Sequence, residues 1–203
     1  MSDNAKIPLQ VVVDSREQCP YRFEGMGAVV EVGALEAGDY SLAGFERRVS
    51  IERKSLSDLI GCLSGDRARF ERELARLRGY DCAAVVVEQP QSVLRLGHYR
   101  SAMPAESAWQ SVIAFSMRFR VPFWFCDSRA DAEAVTFNFL RHYARDRWRE
   151  LTALNPAARI APERQTAQGP GAGVEGKPDT PESRTEGKAN STAPTATATG
   201  AGT

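Results

Sequence analysis

Arg48-Val49-Ser50-Ile51-Glu52-Arg53-Lys54 reads as a β-strand that leaves an apolar core and ends in charge. A strand turns successive side chains to opposite faces, so Glu52 and Lys54 project together while Arg53 points the other way. Upstream, Gly38-Asp39 is a turn at which the chain can bend into Tyr40-Ser41-Leu42 and bring a carboxylate to a strand end. An aspartate followed by Glu-x-Lys on adjacent strands is therefore the pattern around which the rest of the sequence organises.

Outward from that strand, helices and strands alternate. Leu9 to Val13 is an apolar run ending in Asp14 and reads as a buried strand, and Val29 to Val32 as a second. A short helix is expected over 57–63, ended by Ser64-Gly65, and a longer one over 66–78. In the longer helix Phe70, Leu74 and Leu77 follow the i, i+4, i+7 spacing of one buried stripe, with Arg69, Arg72 and Arg76 on another face. Ala83 to Val87 and Phe123 to Phe125 read as strands. Pro104 suits the first turn of a helix to Phe119, with Trp109, Val112, Ile113, Ser116 and Met117 inward. Ser128-Arg-Ala-Asp131 has the form of a capping box and opens a last helix to about residue 151. This alternation predicts an α/β fold with a central sheet over residues 6–151.

From Asn155 onward the chain turns to Ala, Gly, Pro, Thr, Ser and Glu, with Ile160 and Val174 as the only large apolar residues. Such a segment buries too little surface to offset its ordering entropy, so residues 155–203 are expected to be a disordered low-complexity tail. Hydrophobic residues at 42% of the whole chain, concentrated before that segment, are enough for a core. Formal net charge is zero, and the two signs balance on either side of residue 150, so no global basic field marks a nucleic-acid partner. Cys19, Cys62, Cys82 and Cys126 form no CxxC pair, and His98 and His142 lie at no ligand spacing, which disfavours zinc. With no signal-like or long apolar segment, reduced thiols in a cytoplasmic protein are expected, nucleoid-associated if the source is prokaryotic.

Carboxylates at Asp14, Glu17, Asp39, Glu52 and Asp58 need a reason to crowd together. Two carboxylates about 4 Å apart repel by roughly 4 kcal/mol at an effective dielectric near 20. A cation between them removes that cost. Hard oxygen donors suit Mg²⁺, which keeps waters and contacts substrate phosphate. It polarises the phosphoryl oxygen and acidifies an attacking water. An ammonium such as Lys54 beside that water stabilises the charge that develops in phosphodiester hydrolysis.

Gly38-Asp39 followed by Glu52-Arg53-Lys54-Ser-Leu-Ser-Asp58 resembles the GDxnERKxxxD signature of XPF-type structure-specific nucleases, and Asp14-Ser-Arg-Glu17 resembles that family's earlier DxRE element. The resemblance implies a restriction-endonuclease-like fold, a mixed central sheet flanked by helices, and Mg²⁺-dependent endonuclease activity, with Mn²⁺ as a substitute. It implies that Asp39 and Glu52 bind metal and that Asp14, Glu17 and Asp58 ligate or support it. It further implies that Lys54 assists the water and Arg53 organises the site or contacts substrate. Flap, fork or other branched DNA is the implied substrate, cut to a 3′-hydroxyl and a 5′-phosphate. Larger members carry a tandem helix-hairpin-helix domain after the nuclease domain. Here a low-complexity tail is expected instead, so a partner protein or a homodimer is the expected source of DNA-structure recognition.

Blander roles compete for the same residues. Asp14 suits a turn cap, Glu17 an ion pair with Arg16 or Arg22, and Asp58 the first turn of a helix, where an acid favours the macrodipole. Arg16, Arg67, Arg69, Arg72 and Arg76 are candidate phosphate contacts, yet a helical charge run is usually solvated and Glu73 is spaced to pair with Arg69 or Arg76. Arg141, Arg145 and Arg149 suit solvent better than DNA, and Trp109, Phe123, Trp124 and Phe125 a core or dimer interface better than base stacking. The alternative function is a non-catalytic DNA-binding or scaffolding subunit, against which the intact acidic motif argues.

Overall fold

A computed structural model of the protein describes residues 9–155. Six strands form one sheet in the order β2-β1-β3-β4-β5-β6. They are β1 (Leu9–Asp14), β2 (Ala28–Gly33), β3 (Tyr40–Leu42), β4 (Val49–Lys54), β5 (Cys82–Val87) and β6 (Phe123–Phe125). β3 runs antiparallel to both β1 and β4, while β1 with β2, and β4 with β5 and then β6, pair in parallel. The helices are α1 (Leu56–Leu63), α2 (Arg67–Leu77), α3 (Gln91–Arg95), α4 (Ala105–Phe119) and α5 (Arg129–Leu154). The sheet is mixed and flanked by helices, as expected. The segment read as a tail lies outside the described residues apart from Asn155.

Two cores sandwich the sheet. On one face α1, α2 and α4 pack Leu59, Leu63, Phe70, Leu74 and Phe115 against Val85 and Val87. On the other, α5 packs Phe137, Leu140 and Tyr143 against Val49, Ile51, Ala84 and Val86. Alternate residues of β5 thus enter opposite cores, the signature of a strand covered on both faces. The same covering explains why β4 is buried from Val49 through Glu52 and opens only at Arg53 and Lys54.

The buried stripe of α2 is Phe70, Leu74 and Leu77, as its spacing predicts. On α4 the stripe differs from the expected one: Ala108, Val112, Phe115 and Phe119 are buried, whereas Met117 is 77% exposed. That helix carries apolar residues around most of its girth, so periodicity admits two stripes. Packing selects the one that brings Phe115 edge-on to Phe70, with ring centroids 5.9 Å apart. Pro104 caps α4 with extended backbone instead of entering its first turn. Ser128 caps α5 by accepting from the Asp131 N–H at 3.1 Å, and the helix runs three residues beyond the expected end. The short α3 has too few residues to show periodicity and was not expected.

Candidate active site

Gly38 is the hinge of the site. Its φ of +79° suits glycine, and a Cβ there would stand 2.0 Å from Ser50 Oγ and 3.0 Å from the Ile51 carbonyl. The missing side chain lets the turn lie directly on β4. Asp39 is then fastened on three sides. Its N–H donates to the Ile51 carbonyl at 2.7 Å, its carbonyl accepts from the Asp14 N–H at 2.8 Å, and its carboxylate accepts from the Arg53 N–H at 2.7 Å. The Asp39 carboxylate therefore sits at the carboxyl end of β4, whatever its side chain would prefer in solvent.

Glu52 and Lys54 project from one face of β4, as their spacing requires, and that face is the one α2 covers. Glu52 is 3% exposed; one oxygen accepts from the Lys54 ammonium, and Oε2 has no hydrogen-bond partner. An orphaned buried carboxylate oxygen is expensive unless something cationic meets it. Lys54 lies over the Phe70 ring, 5.4 Å from its centroid, and 3.8 Å from Glu73 Oε2. Burial pushes the Asp39 carboxyl up to about 6, assisted by the charges of Glu17 and Glu73. Burial and the neighbouring Asp39 likewise hold Glu52 well above the usual carboxylate range. Both shifts come first from burial and then from the neighbouring carboxylates, against the opposing charge of Lys54.

Arg53 leaves β4 on the opposite face. Its Nε and one terminal nitrogen each donate to Glu17 at 3.0 Å, and the other terminal nitrogen donates to Glu88 at 3.0 Å. Arg129, from the start of α5, holds the second oxygen of Glu88 at 2.6 Å and the Cys19 carbonyl at 2.6 Å. Arg53 thus spends its donor fork inside the protein, which suits organising the site rather than gripping a phosphate. Glu17 pairs with Arg53, not with Arg16 or Arg22.

The remaining expected acids stand apart from Asp39 and Glu52 by their contacts. Asp14 is saturated by four donors: the Arg16 N–H at 2.9 Å, Arg16 Nε at 2.7 Å, Arg16 Nη2 at 3.0 Å and the Leu35 N–H at 2.8 Å. Burial alone would raise its carboxyl, but these bonds hold it below the ordinary value. Arg16 also donates to the Leu35 carbonyl at 2.8 Å, so the pair locks the end of β1 to the segment after β2. Asp58 is exposed on α1, where its carboxylate accepts from the Ser55 hydroxyl at 2.7 Å and its N–H donates back at 3.1 Å. That is a helix-capping arrangement. Among the described residues no three His, Cys, Asp or Glu side chains converge on one metal-sized point; Asp39, Glu52 and Glu73 are disposed around Lys54 instead.

Arg69, Arg72 and Arg76 are exposed on α2, with Arg69 paired to Asp66 at 3.2 Å. Arg67 is half-buried, 4.5 Å above the Phe115 ring and 3.2 Å from Ser111 Oγ, so it is largely committed to packing. Sequence reasoning missed Glu73, Glu88 and Arg129. Glu73 had a legible signal: it lies three residues after Phe70, beside the inward stripe. Glu88 directly follows β5, the parallel neighbour of β4, but that pairing is invisible before the sheet order is known.

Residues 13–139 match the ERCC4 domain family. Among solved structures, XPF from Aeropyrum pernix aligns with a TM-score of 0.55 at 25% identity, over 70% of this chain and 70% of that one. XPF from Aeropyrum pernix in complex with DNA aligns with a TM-score of 0.54 at 24% identity, over 68% and 66%. No curated protein matches the chain. With more than half of its length matched, the chain belongs to the ERCC4 domain family and carries an XPF-type nuclease domain.

Proposed function

We propose that the domain is a divalent-metal-dependent endonuclease that hydrolyses phosphodiester bonds at branched, flap or fork DNA. The observation that carries this reading is the buried pair Asp39 and Glu52, both raised, with Glu52 Oε2 unpartnered beside them. Counted as ionised, Asp39, Glu52 and Glu73 exceed Lys54 by two negative charges, the deficit a divalent cation removes. Their donors are hard oxygens, which fit Mg²⁺ or Mn²⁺. Asp39 and Glu52 would hold the ion. When bound, it supplies Lewis acidity toward the phosphate and lowers the pKa of the attacking water.

The chain's own groups do the rest. The Lys54 ammonium, raised further by Glu52 and Glu73 against the opposing effect of burial, stays charged at the point where negative charge develops on the phosphoryl group. Arg53 and Glu17 brace the end of β4 so that Asp39 and Glu52 keep their separation. XPF from Aeropyrum pernix has been solved with DNA, which supports DNA as the substrate. Exposed Arg69, Arg72 and Arg76, beside the acids on α2, are the phosphate contacts we propose.

A second copy of the chain is proposed to pack on β6, an edge strand of the sheet, where Trp124 is 49% exposed. Trp124 borders a groove of about 510 Å³ lined by Val135, Phe139 and Tyr143 of α5. We place the protein in the cytoplasm, nucleoid-associated if the source is prokaryotic. The test of function is a panel of flap, fork and linear duplex DNA incubated with the protein and Mg²⁺ or Mn²⁺. Cleavage of branched substrates that Asp39→Ala and Glu52→Ala abolish is expected. No cleavage by the wild type, or equal cleavage by the variants, would overturn the reading.

A further inference from the structure

Lys54 has two carboxylates within reach and is held by the wrong one for metal binding. Its ammonium is hydrogen-bonded to Glu52, the acid whose other oxygen is orphaned. A cation arriving at Asp39 and Glu52 must share Glu52 with an ammonium already there, and two positive charges in a buried site repel. The second carboxylate, Glu73 Oε2 at 3.8 Å, is on α2 and does not belong to the acidic motif. The Phe70 ring, one turn earlier on the same helix, faces the ammonium at 5.4 Å. Phe70 and Glu73, both on α2, together form a second seat for Lys54, one that also lies beside Glu52. Arg69 on that helix forms its ion pair with Asp66 at 3.2 Å and feels the charge of Glu73 without a salt bridge to it.

We infer that Glu73 is a positioning residue that takes over the Lys54 ammonium when Glu52 turns to a divalent cation. The inference rests on the proposed metal site at Asp39 and Glu52. In this arrangement Lys54 pivots between two carboxylates, so the charge needed at the phosphate is kept within the site and Glu52 is released. Glu73 supplies no bond to the cation; its effect on cation affinity passes entirely through Lys54. That distinguishes it from a third ligand, whose loss would weaken binding whatever residue stood at position 54.

The test is a double-mutant cycle read by Mn²⁺ binding, followed by calorimetry and by the electron paramagnetic resonance signal of free ion. Glu73→Gln is expected to weaken Mn²⁺ affinity by about tenfold, the scale on which partners of metal ligands act. In a Lys54→Gln background the same substitution is expected to change affinity by less than about twofold, because no ammonium remains to be seated. Glu73→Ala provides the same comparison if Glu73→Gln does not fold. Unchanged affinity in Glu73→Gln, or a full loss that persists in the Lys54→Gln background, would overturn the inference while leaving the metal site intact. Absence of Mn²⁺ binding by the wild type, or binding insensitive to Asp39→Asn and Glu52→Gln, would instead overturn the metal site itself.

Discussion

The Arg53 guanidinium grips the Glu17 carboxylate through two hydrogen bonds of 3.0 Å each, with both side chains nearly buried. These residues come from β4 and from the turn after β1, so one planar contact ties the two sides of Asp39 together. Burial disfavours charge on both partners, but the paired hydrogen bonds win: the Arg53 guanidinium is raised and the Glu17 carboxyl lowered from their ordinary values.

Glu17→Ala is expected to destabilise the domain by about 3 kcal/mol, the lower end for breaking a buried pair, since Glu88 still holds Arg53. Arg53→Lys should cost nearly as much, because an ammonium cannot reproduce the fork. Urea unfolding measures both. A change below about 0.5 kcal/mol, typical of a surface pair, would show that the contact is not structural.

Gly38→Ala should lower stability by about 1–3 kcal/mol through its left-handed backbone alone, with the overlap on Ser50 Oγ added to that. Combining it with Ser50→Ala is expected to recover part of the loss, since the hydroxyl is the nearest atom. Thermal unfolding of the two variants decides it, and no recovery would locate the strain in the backbone rather than in the contact.

Asp39 has a pH signature. With its carboxyl raised to about 6, the folded protein binds that proton more tightly than the unfolded chain does. Its contribution is therefore present at low pH and is lost as pH rises from about 4 to about 6. Metal-free Asp39→Asn should be more stable than wild type near pH 7, by about 3 kcal/mol, and about equal to it near pH 4. Mg²⁺ should reduce that difference by favouring the ionised carboxylate of the wild type. Calorimetric melts of the two proteins across this range measure it, and a difference that does not vary with pH would contradict the assignment.

Trp124→Glu is expected to convert a dimer to a monomer with little effect on folding, because the ring is half-exposed at a sheet edge. Sedimentation velocity of wild type and variant reads the outcome directly. A wild type that is monomeric at all concentrations would remove the proposed interface.

Much of this molecule can be read along the chain because it depends on spacing alone. Period two along β4 separates Glu52 and Lys54 from Arg53, and the period of α2 buries Phe70, Leu74 and Leu77 without knowledge of what they touch. Gly38 before Asp39 announces a turn for the same reason. The stripe of α4 escaped because a helix apolar on most sides has no unique phase, and α3 because five residues cannot show one.

The sequence by itself thus determined the strand that carries the acids, the faces their side chains take and the family to which they belong. Only the tertiary structure decided which acids come together. Asp14 stands in the DxRE element and Asp58 ends the GDxnERKxxxD one, yet local hydrogen bonds from Arg16 and Ser55 claim them. Glu73, nineteen positions after Lys54, reaches Lys54 because α2 folds back over β4. Side-chain direction follows from backbone geometry within a few residues. The meeting of charges from separate elements follows from how cores pack those elements together, and no spacing encodes it.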